Sequence, residues 1–455
     1  MVSGTESSRL FDDLLFPKIF QSFRIAIQPT KLIIAFMAVA VVCLAGWIMD
    51  FSKTVVTDKA GKITELSAYM SRGDNPDAAV KSHIAKFKEK GGSAGVFSTL
   101  WHFGSARFHA ALKGLFDLNF KGVKENITDY FKAVGWAMKY HYIYCLIFVV
   151  IKLAAISIAG GAICRIAALQ FAQGEKPGLT ESLHFSTKRF SSLFTAPLAP
   201  VGIIVFIGAF IFLLGLVGNI PWAGELIIAI GMPLALTAGA LIAVILIGAL
   251  AGFNLMFPAV AYDGSDCFDA ISRSFSYVYA RPWRMVFYTA IAAAYGAVCY
   301  AFVRLFAFLL LWITHCSLQL GLWVDSSTKG VGKLEAIWPQ PKLWDFSVSS
   351  SPSGLAAANW TESLAAFLIY LSLLVVVGLV VSFIISFYFS ANTIIYSLMR
   401  NKVDNTAFGD ICTHFDEDES VPNPDLPSSP EGQSPSESEE QAEPEESEEE
   451  TDSPS

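Results

Sequence analysis

The chain has 455 residues, of which 53% are hydrophobic and 16% charged, and its formal net charge is −8. This apolar excess excludes an ordinary soluble globular protein. The charge is unevenly distributed, because residues 416–455 contain sixteen Asp or Glu and no Lys or Arg, which leaves +8 on the rest of the chain. A basic body suits anionic lipid headgroups, whereas the acidic end would repel nucleic-acid phosphate.

Six long apolar runs in the sequence each approach or exceed the roughly 20 residues that a membrane-spanning helix needs. They predict an all-α fold, a polytopic transmembrane helix bundle with six spans. The first run is expected to be retained as a span, since about thirty residues, including Asp12 and Asp13, precede it. The predicted spans are residues 32–50, 141–168, 198–219, 224–256, 285–304 and 362–399.

Lys and Arg residues collect in the short connections on one side of this arrangement, which places that side and both termini in the cytoplasm. We expect the protein in a bacterial cytoplasmic (inner) membrane. The cytoplasmic parts are the N-terminal lead-in 1–31, the links 169–197 and 257–284, the exit 400–415 and a disordered acidic tail 416–455. The extracytoplasmic parts are an amphipathic cap, residues 51–140, and the segment 305–361, whose first part is apolar.

The number of crossings depends on residues 305–324, a further uncharged stretch after Arg304. A seventh crossing there would put the acidic tail outside and break the charge pattern. We therefore interpret the stretch as a continuation of the fifth span into an outer helix.

The sequence also contains a repeated pattern. A Phe precedes a Pro by six or seven residues before each odd-numbered span, at Phe23, Phe190 and Phe275. The even-numbered spans end in segments that align Arg165, Asn254 and Asn392. Three two-span hairpins, each entered through an amphipathic cytoplasmic lead-in helix, would produce this pattern. Chance similarity among interfacial helices is the alternative, since such helices share Phe, Ser, Arg and an N-terminal Pro.

The stretch 268–275, Phe-Asp-Ala-Ile-Ser-Arg-Ser-Phe, is followed by Arg-Pro-Trp-Arg at 281–284 and an apolar span. It resembles the lead-in of bacterial multi-pass proteins related to the membrane domain of glycerophosphoryl diester phosphodiesterase, and of a broader set of uncharacterised six-span proteins. The resemblance covers about residues 250–300. It implies a fold and not an activity, because no part of the sequence resembles the phosphodiesterase catalytic domain.

Lys152 is a charged residue inside the second predicted span. A charge at that depth costs a few kcal/mol and suggests a function, such as receiving an anionic headgroup or substrate. The alternative is that the lysine stem extends to the outer headgroups, since no acidic residue lies at the same depth in another span.

Several other polar or aromatic residues are candidates for contacts at the membrane. Together with Lys152, a speculative substrate-binding set comprises Arg165, Asn254 and Asn392 near the inner ends of their spans, where such residues also serve as helix-to-helix contacts. The expected interfacial anchors are Trp101, Trp136, Arg284 and Arg304.

No sequence motif points to catalysis or to a bound cofactor. The seven cysteines are scattered without C-x-x-C spacing, and the seven histidines lack paired spacing, so we predict no metal site. P-loop, dinucleotide and nucleophile-elbow patterns are absent from the sequence, which argues against a familiar soluble-type enzyme and leaves a lipid-modifying membrane enzyme as the weakest reading.

Three functional hypotheses follow. The first is a non-enzymatic protein that organises the membrane or binds lipids and a partner, with membrane lipids outside and a basic protein at the acidic tail. The second is a permease or lipid-handling transporter that uses Lys152 and the inner-end polar residues, and the third is the membrane enzyme. The tail itself could remain solvated, bind a basic partner, fold back on the basic body or be phosphorylated.

Overall fold

The computed structural model describes residues 15–58, 63–71, 75–88, 91–322, 333–343, 346 and 360–412. In this part of the chain, nearly all regular structure is helical, and six helices are long and apolar enough to cross a membrane. The predicted all-α polytopic bundle is confirmed, and the protein is an integral membrane protein. The predicted acidic tail, residues 416–455, lies outside the described residues.

The first membrane helix follows a short helical entry and leads into a small subdomain, the cap. A 3₁₀ turn (Phe16–Phe20) and α1 (Gln21–Ala26) precede the membrane helix α2 (Pro29–Asp50). The cap then contains β1 (Val55–Thr57), α3 (Glu65–Tyr69), α4 (Pro76–Phe87), β2 (Gly92–Ala94), α5 (Val96–Phe116) and α6 (Phe120–Tyr140). Strands β1 and β2 pair antiparallel.

The remaining helices comprise long membrane helices and the short helices that connect them. They are α7 (Tyr142–Ala172), α8 (Leu179–Lys188), α9 (Phe190–Thr195), α10 (Ala199–Val217), α11 (Gly224–Asp263), α12 (Cys267–Ala280), α13 (Pro282–Gly321), α14 (Lys333–Ile337) and α15 (Trp360–Val403). The six membrane helices are α2, α7, α10, α11, α13 and α15.

A short helix precedes each odd-numbered membrane helix, as the lead-in pattern predicts. Helices α1 and α12 end within a few residues of Pro29 and Pro282, which lie in the first turns of α2 and α13 as the pattern predicts. Helix α9 also precedes α10, but the proline in the first turn of α10 is Pro200, whereas the Pro197 of the pattern lies before the helix. Proline suits the first turn because the first helical N–H groups have no partner inside the helix. Whether the three hairpins are true repeats stays a prediction.

Three membrane helices are much longer than the bilayer requires. Helices α11 and α13 have 40 residues each and α15 spans 44. At 1.5 Å per residue they are about 60 Å long, roughly twice the thickness of the hydrocarbon core. Helix α13 continues without a break past Arg304 to Gly321, so the apolar stretch after Arg304 belongs to the same helix as the fifth span.

The cap is tied to the first membrane helix through Asp50. The Asp50 carboxylate accepts hydrogen bonds from the backbone N–H groups of Phe97 and Ser98, at 2.9 and 2.8 Å, and from the Tyr144 hydroxyl at 3.0 Å. These bonds satisfy the free N–H groups at the start of α5. The cap has its own small core, which includes Val55, Leu66, Val96 and Trp136.

The main buried region lies at the other end of the bundle, where three membrane helices meet. We call it the three-helix core: residues 157–169 of α7, 255–262 of α11 and 389–400 of α15, nearly all of which are buried. Glycines allow the close approach, since Phe389 of α15 packs directly on Gly160 of α7. By contrast, α10 and the cap-side half of α11 are almost entirely exposed, as expected for helices covered by lipid tails.

Candidate functional site

A cluster of charged and phenolic side chains lies at the edge of the three-helix core. Asp263, the last residue of α11, lies between Arg400 of α15 and Arg273 of α12, with N–O distances of 3.2 and 3.5 Å. The Tyr396 hydroxyl donates a hydrogen bond to the same carboxylate. We call these four residues the Asp263 cluster. Both carboxylate oxygens of Asp263 are engaged, so the cluster acts as a clamp between three helices.

The Asp263 cluster also holds the segment that follows α15. We call residues 404–412 the C-terminal connector. Arg400 donates to the Asp410 backbone carbonyl at 2.5 Å and pairs with the Asp410 carboxylate at 3.3 Å. The Tyr262 hydroxyl donates to the Phe408 carbonyl, and the Tyr262 carbonyl accepts from the Cys412 N–H at 3.1 Å.

Three further contacts fix the connector. Tyr277 of α12 donates its hydroxyl hydrogen bond to Asp404. The Phe408 ring lies edge-on to Phe171 of α7, and the Lys18 ammonium sits 3.5 Å from the centre of the Phe408 ring. A cation over an aromatic face is attracted by the ring quadrupole. The chain therefore leaves the bundle at a fixed place, after contacts with α7, α11, α12 and α15.

The ionisation of the α12 side chains follows from these contacts. Burial raises the pKa of Tyr277 and the hydrogen bond to Asp404 raises it further, so the phenol stays protonated as a donor. Burial alone would lower the pKa of Arg273, but the Asp263 and Asp269 carboxylates raise it above its usual value. The Arg273 guanidinium therefore contributes a full charge to the clamp at neutral pH.

A buried lysine connects α1, α2 and α7 next to the three-helix core. The Lys31 side chain has no exposed surface, and its ammonium donates to the Ile25 carbonyl at 3.0 Å and to the Gln170 side-chain oxygen at 3.1 Å. Ser386 of α15 similarly donates to the Ala26 carbonyl at 2.7 Å. The bonds from Lys31 to the Ile25 carbonyl and from Ser386 to the Ala26 carbonyl satisfy carbonyls at the C-terminal end of α1.

The four predicted substrate-binding residues do not form one site. Asn254 and Asn392 both bond to Tyr388, Asn254 as acceptor from its hydroxyl and Asn392 as donor to its carbonyl at 2.9 Å. Arg165 donates to the Ala261 carbonyl at 3.1 Å and lies over the Phe185 ring. Lys152 has an exposed side chain. It lies about 20 Å from Arg165 along the same helix.

The four predicted interfacial anchors fall into two groups. Trp101 is 41% exposed and Arg284 is half-buried, and their anchoring role stays a prediction. Trp136 has no exposed surface and belongs to the core of the cap. Arg304 is 4% exposed and donates to the Leu343 carbonyl and toward the His109 ring, both at 2.8 Å. Trp136 therefore packs inside the cap, and Arg304 makes hydrogen bonds inside the fold.

Sequence reasoning missed the residues at the centre of the Asp263 cluster. The signal was present, since Tyr262 and Asp263 end the uncharged part of α11 and Arg400 ends that of α15. Two opposite charges at the same ends of the fourth and sixth spans are candidates for a pair, although the sequence does not show that these two spans meet. Lys31 falls at the end of the predicted lead-in 1–31, whereas the structure places it in the first turn of α2.

The part of the chain that the structure describes contains no group of three or more His, Cys, Asp or Glu residues arranged to hold a metal ion. Its chemistry is that of donors and acceptors that hold helices and the connector together. Comparisons with protein-family models, with curated proteins and with solved structures found no match to this chain.

Proposed function

We propose that the protein is a non-enzymatic membrane protein that holds its acidic C-terminal region at the cytoplasmic face of a bacterial inner membrane for a basic protein partner. The docked connector is the observation that carries the proposal. Asp404, Phe408, Asp410 and Cys412 each bond to the bundle, immediately before the chain enters the acidic region. A connector this firmly attached gives the sixteen carboxylates of residues 416–455 a defined point of origin.

The charge distribution supports a basic protein as the partner. The acidic region carries sixteen Asp or Glu and no Lys or Arg. Such segments bind cationic surfaces by long-range attraction, which raises association rates and is weakened by salt. The cytoplasmic leaflet is itself anionic and would repel the region, which leaves it available to soluble partners.

The placement of the polar residues favours this role over that of a permease. A transporter needs polar groups that converge on one cavity near the middle of the membrane. Lys152 is exposed and distant from Arg165, while Asn254 and Asn392 are engaged with Tyr388.

The experiment begins with a photo-crosslinking amino acid at Ser434, which captures the partner in intact cells. The captured protein is then purified, and its affinity is measured for the full chain in lipid nanodiscs. We expect the affinity to fall at least about tenfold when all sixteen acidic residues of 416–455 become Asn or Gln, a loss of about 1.4 kcal/mol. We also expect it to fall with rising salt concentration.

Two further variants separate the acidic region from the rest of the protein. Phe408→Ala with Asp410→Asn loosens the connector, and we expect weaker binding because the attachment point is no longer fixed. Asp117→Asn with Glu125→Gln removes exposed acids of the cap and should leave binding unchanged. Equal affinity of the wild-type and charge-neutral chains for the captured protein would disprove the proposal.

A further inference from the structure

Helix α6 exposes an apolar stripe along its whole length. The stripe consists of Phe120, Ile127, Phe131 and Met138, whose spacings of seven, four and seven residues place them on one face of the helix. All four side chains are exposed, and Phe131 is 67% exposed. The opposite face of α6, which includes the buried Trp136, packs against α5 and the core of the cap. An exposed row of large apolar side chains marks a surface that contacts a membrane or another protein.

Lysines lie next to this stripe, and acidic residues lie farther from it. On a helix of 3.6 residues per turn, Lys121 and Lys124 are about 100° and 40° around α6 from Phe120. Glu125 and Asp129 are about 140° and 180° from Phe120 by the same geometry. Helices that lie on anionic membranes have this arrangement, in which basic residues border the apolar face.

The two lysines nearest the start of α6 are available to an anionic ligand. Lys121 and Lys124 are exposed, and neither has an ion-pair partner within the part of the chain that the structure describes. Lys132 and Lys139, farther along α6, each pair with a carboxylate of the cap. The uncompensated positive charge of α6 is therefore concentrated next to the α5–α6 turn.

This turn holds a further apolar side chain outward. Leu118 is 73% exposed and has a φ of +53°. Such a left-handed backbone is strained for leucine and suits glycine or asparagine. Phe116 and Phe120, on either side of the turn, are exposed as well. The turn therefore presents apolar side chains at a position where a small or polar residue would be less strained.

The α5–α6 hairpin lies beside the membrane helices. Phe97 of α5 packs on Gly46 of α2, and its ring lies 5.6 Å from that of Phe148 of α7. Gly46 and Phe148 lie about 6 and 9 Å inside the cap-side ends of their helices, at 1.5 Å per residue.

Helix α6 is also joined directly to a membrane helix. His141 alone separates α6 from α7. The first residues of α7 are exposed and apolar, including Tyr142, Ile143 and Leu146. Because α7 is a membrane helix, these side chains face lipid. The exposed stripe of α6 therefore ends next to a lipid-facing surface, with no loop between them.

We propose that α6 lies against the bilayer, with its apolar stripe and Leu118 among the acyl chains and with Lys121 and Lys124 on the phosphates of anionic phospholipids. Two observations favour lipid over a protein as the occupant of this surface. The lysines border the stripe while the acids lie farther away, and the stripe adjoins the lipid-facing start of α7. The surface is independent of the acidic C-terminal region and its partner.

Fluorescence quenching of the full chain in lipid nanodiscs tests the placement of α6. A fluorescent coumarin amino acid replaces Phe131 in one protein and Glu125, on another face of the same helix, in the matched control. Both positions are exposed, so the probe does not disturb the core of the cap. We expect spin-labelled phosphatidylcholine to quench the probe at position 131 and aqueous iodide to quench the probe at position 125.

The lysines are tested with the probe at position 131 in nanodiscs of phosphatidylcholine, with and without phosphatidylglycerol. We expect phosphatidylglycerol to increase the lipid quenching, and Lys121→Gln with Lys124→Gln to abolish this increase. Each lysine should shift the docking equilibrium about fivefold, which corresponds to about 1 kcal/mol for one basic residue at an anionic surface. Lys81→Gln with Lys88→Gln, at exposed lysines of another part of the cap, should change nothing.

Leu118→Asn separates membrane contact from a role in folding. Asparagine tolerates the left-handed backbone, so the unfolding temperature in detergent should not fall, whereas the lipid quenching at position 131 should decrease. A lower unfolding temperature with unchanged lipid quenching would show that Leu118 serves the fold and not the membrane.

Two results would overturn the placement of α6 against lipid. Iodide quenching at position 131 equal to that at position 125 would place the stripe in water. Protection of position 131 from both quenchers would show that a protein, such as a second copy of this chain, covers it. Lipid quenching that responds neither to phosphatidylglycerol nor to the lysine substitutions would contradict the role of Lys121 and Lys124.

Discussion

Asp263 is the residue on which the charges at the edge of the three-helix core depend. Its carboxylate is nearly buried and has two arginines and one phenol as partners. We expect Asp263→Asn to destabilise the protein by about 1–3 kcal/mol, because the nearly buried Arg400 then keeps only the exposed Asp410 carboxylate as its counter-charge. Thermal unfolding of the purified protein in detergent measures the change.

Asp269→Asn is the matched control for this substitution. Asp269 also pairs with Arg273, at 2.9 Å, but its side chain is 44% exposed. Exposed pairs contribute less than about 1 kcal/mol, so a small shift is expected. Comparable destabilisation by the two substitutions would show that burial of the Asp263 cluster does not matter.

The pH dependence of the cap follows from Asp77. The hydrogen bond from Lys139 makes the largest contribution to lowering the pKa of Asp77 below its ordinary value, and the hydrogen bond from Tyr140 lowers this pKa further. A lowered pKa stabilises the fold at neutral pH, and this stabilisation is lost as the pH falls below about 4 toward the folded-state value. Fluorescence of the buried Trp136 should report a lower unfolding temperature at acid pH, and Asp77→Asn should reduce this dependence.

The same contact acts in the opposite direction at alkaline pH. Burial and the hydrogen bond to Asp77 raise the pKa of Tyr140 to about 12. The folded state favours the protonated phenol, so this contribution is lost between the ordinary tyrosine value of about 10 and pH 12. Asp117→Asn removes an exposed carboxylate of the cap and should leave the loss of stability at acid pH and at alkaline pH unchanged. If this control reduced the pH dependence as Asp77→Asn does, the assignment to Asp77 would be contradicted.

At the level of elements, the contact between α7 and α15 depends on one glycine. A Cβ atom at Gly160 would lie 2.5 Å from the Phe389 ring, whereas a Cβ at Gly239 of α11 would meet nothing within 4 Å. We expect Gly160→Ala to destabilise the protein by about 1–3 kcal/mol through overpacking. Gly239→Ala should be neutral or stabilising by up to about 1 kcal/mol, since alanine favours helix. Equal unfolding temperatures for the two variants would contradict this packing.

The membrane helices were predictable from the sequence because their signal is local: twenty apolar residues in a row are sufficient. The three-helix core was not, since it depends on which helices meet. Tyr396 lies 133 residues from Asp263, and nothing in either segment alone indicates the partner. The same limit applies to Lys152, since charge and depth follow from sequence, whereas the direction of its side chain depends on neighbouring helices. Trp136 and Arg304 were predicted as interfacial anchors from their residue types, but the same residue types also suit a small buried core, where the structure places both side chains.

The buried cores and charged clusters of the described part of the molecule lie at its two ends, and the apolar helix surfaces lie between them. The cap, with its own core, lies at one end, while the three-helix core and the docked connector lie at the other. Between them the membrane helices have mostly exposed, apolar surfaces. This division puts the charged pairs that fix the C-terminal connector at the end of the bundle, outside the apolar surfaces, where charged pairs cost least.

The topology that this arrangement requires can be tested directly. The Lys18 ammonium lies on the Phe408 ring, so the two ends of the described chain lie together in the fold, and we expect both on the cytoplasmic side. We expect green fluorescent protein fused after Ser455 to fluoresce in a bacterial host, because it folds in the cytoplasm. Alkaline phosphatase inserted after Asp117 in the cap should be active, because it requires the outside. The reciprocal pair, phosphatase after Ser455 and fluorescent protein after Asp117, should be inactive and dark. Active phosphatase at both positions would instead support a seventh crossing at residues 305–324, since an odd number of spans puts the acidic region outside.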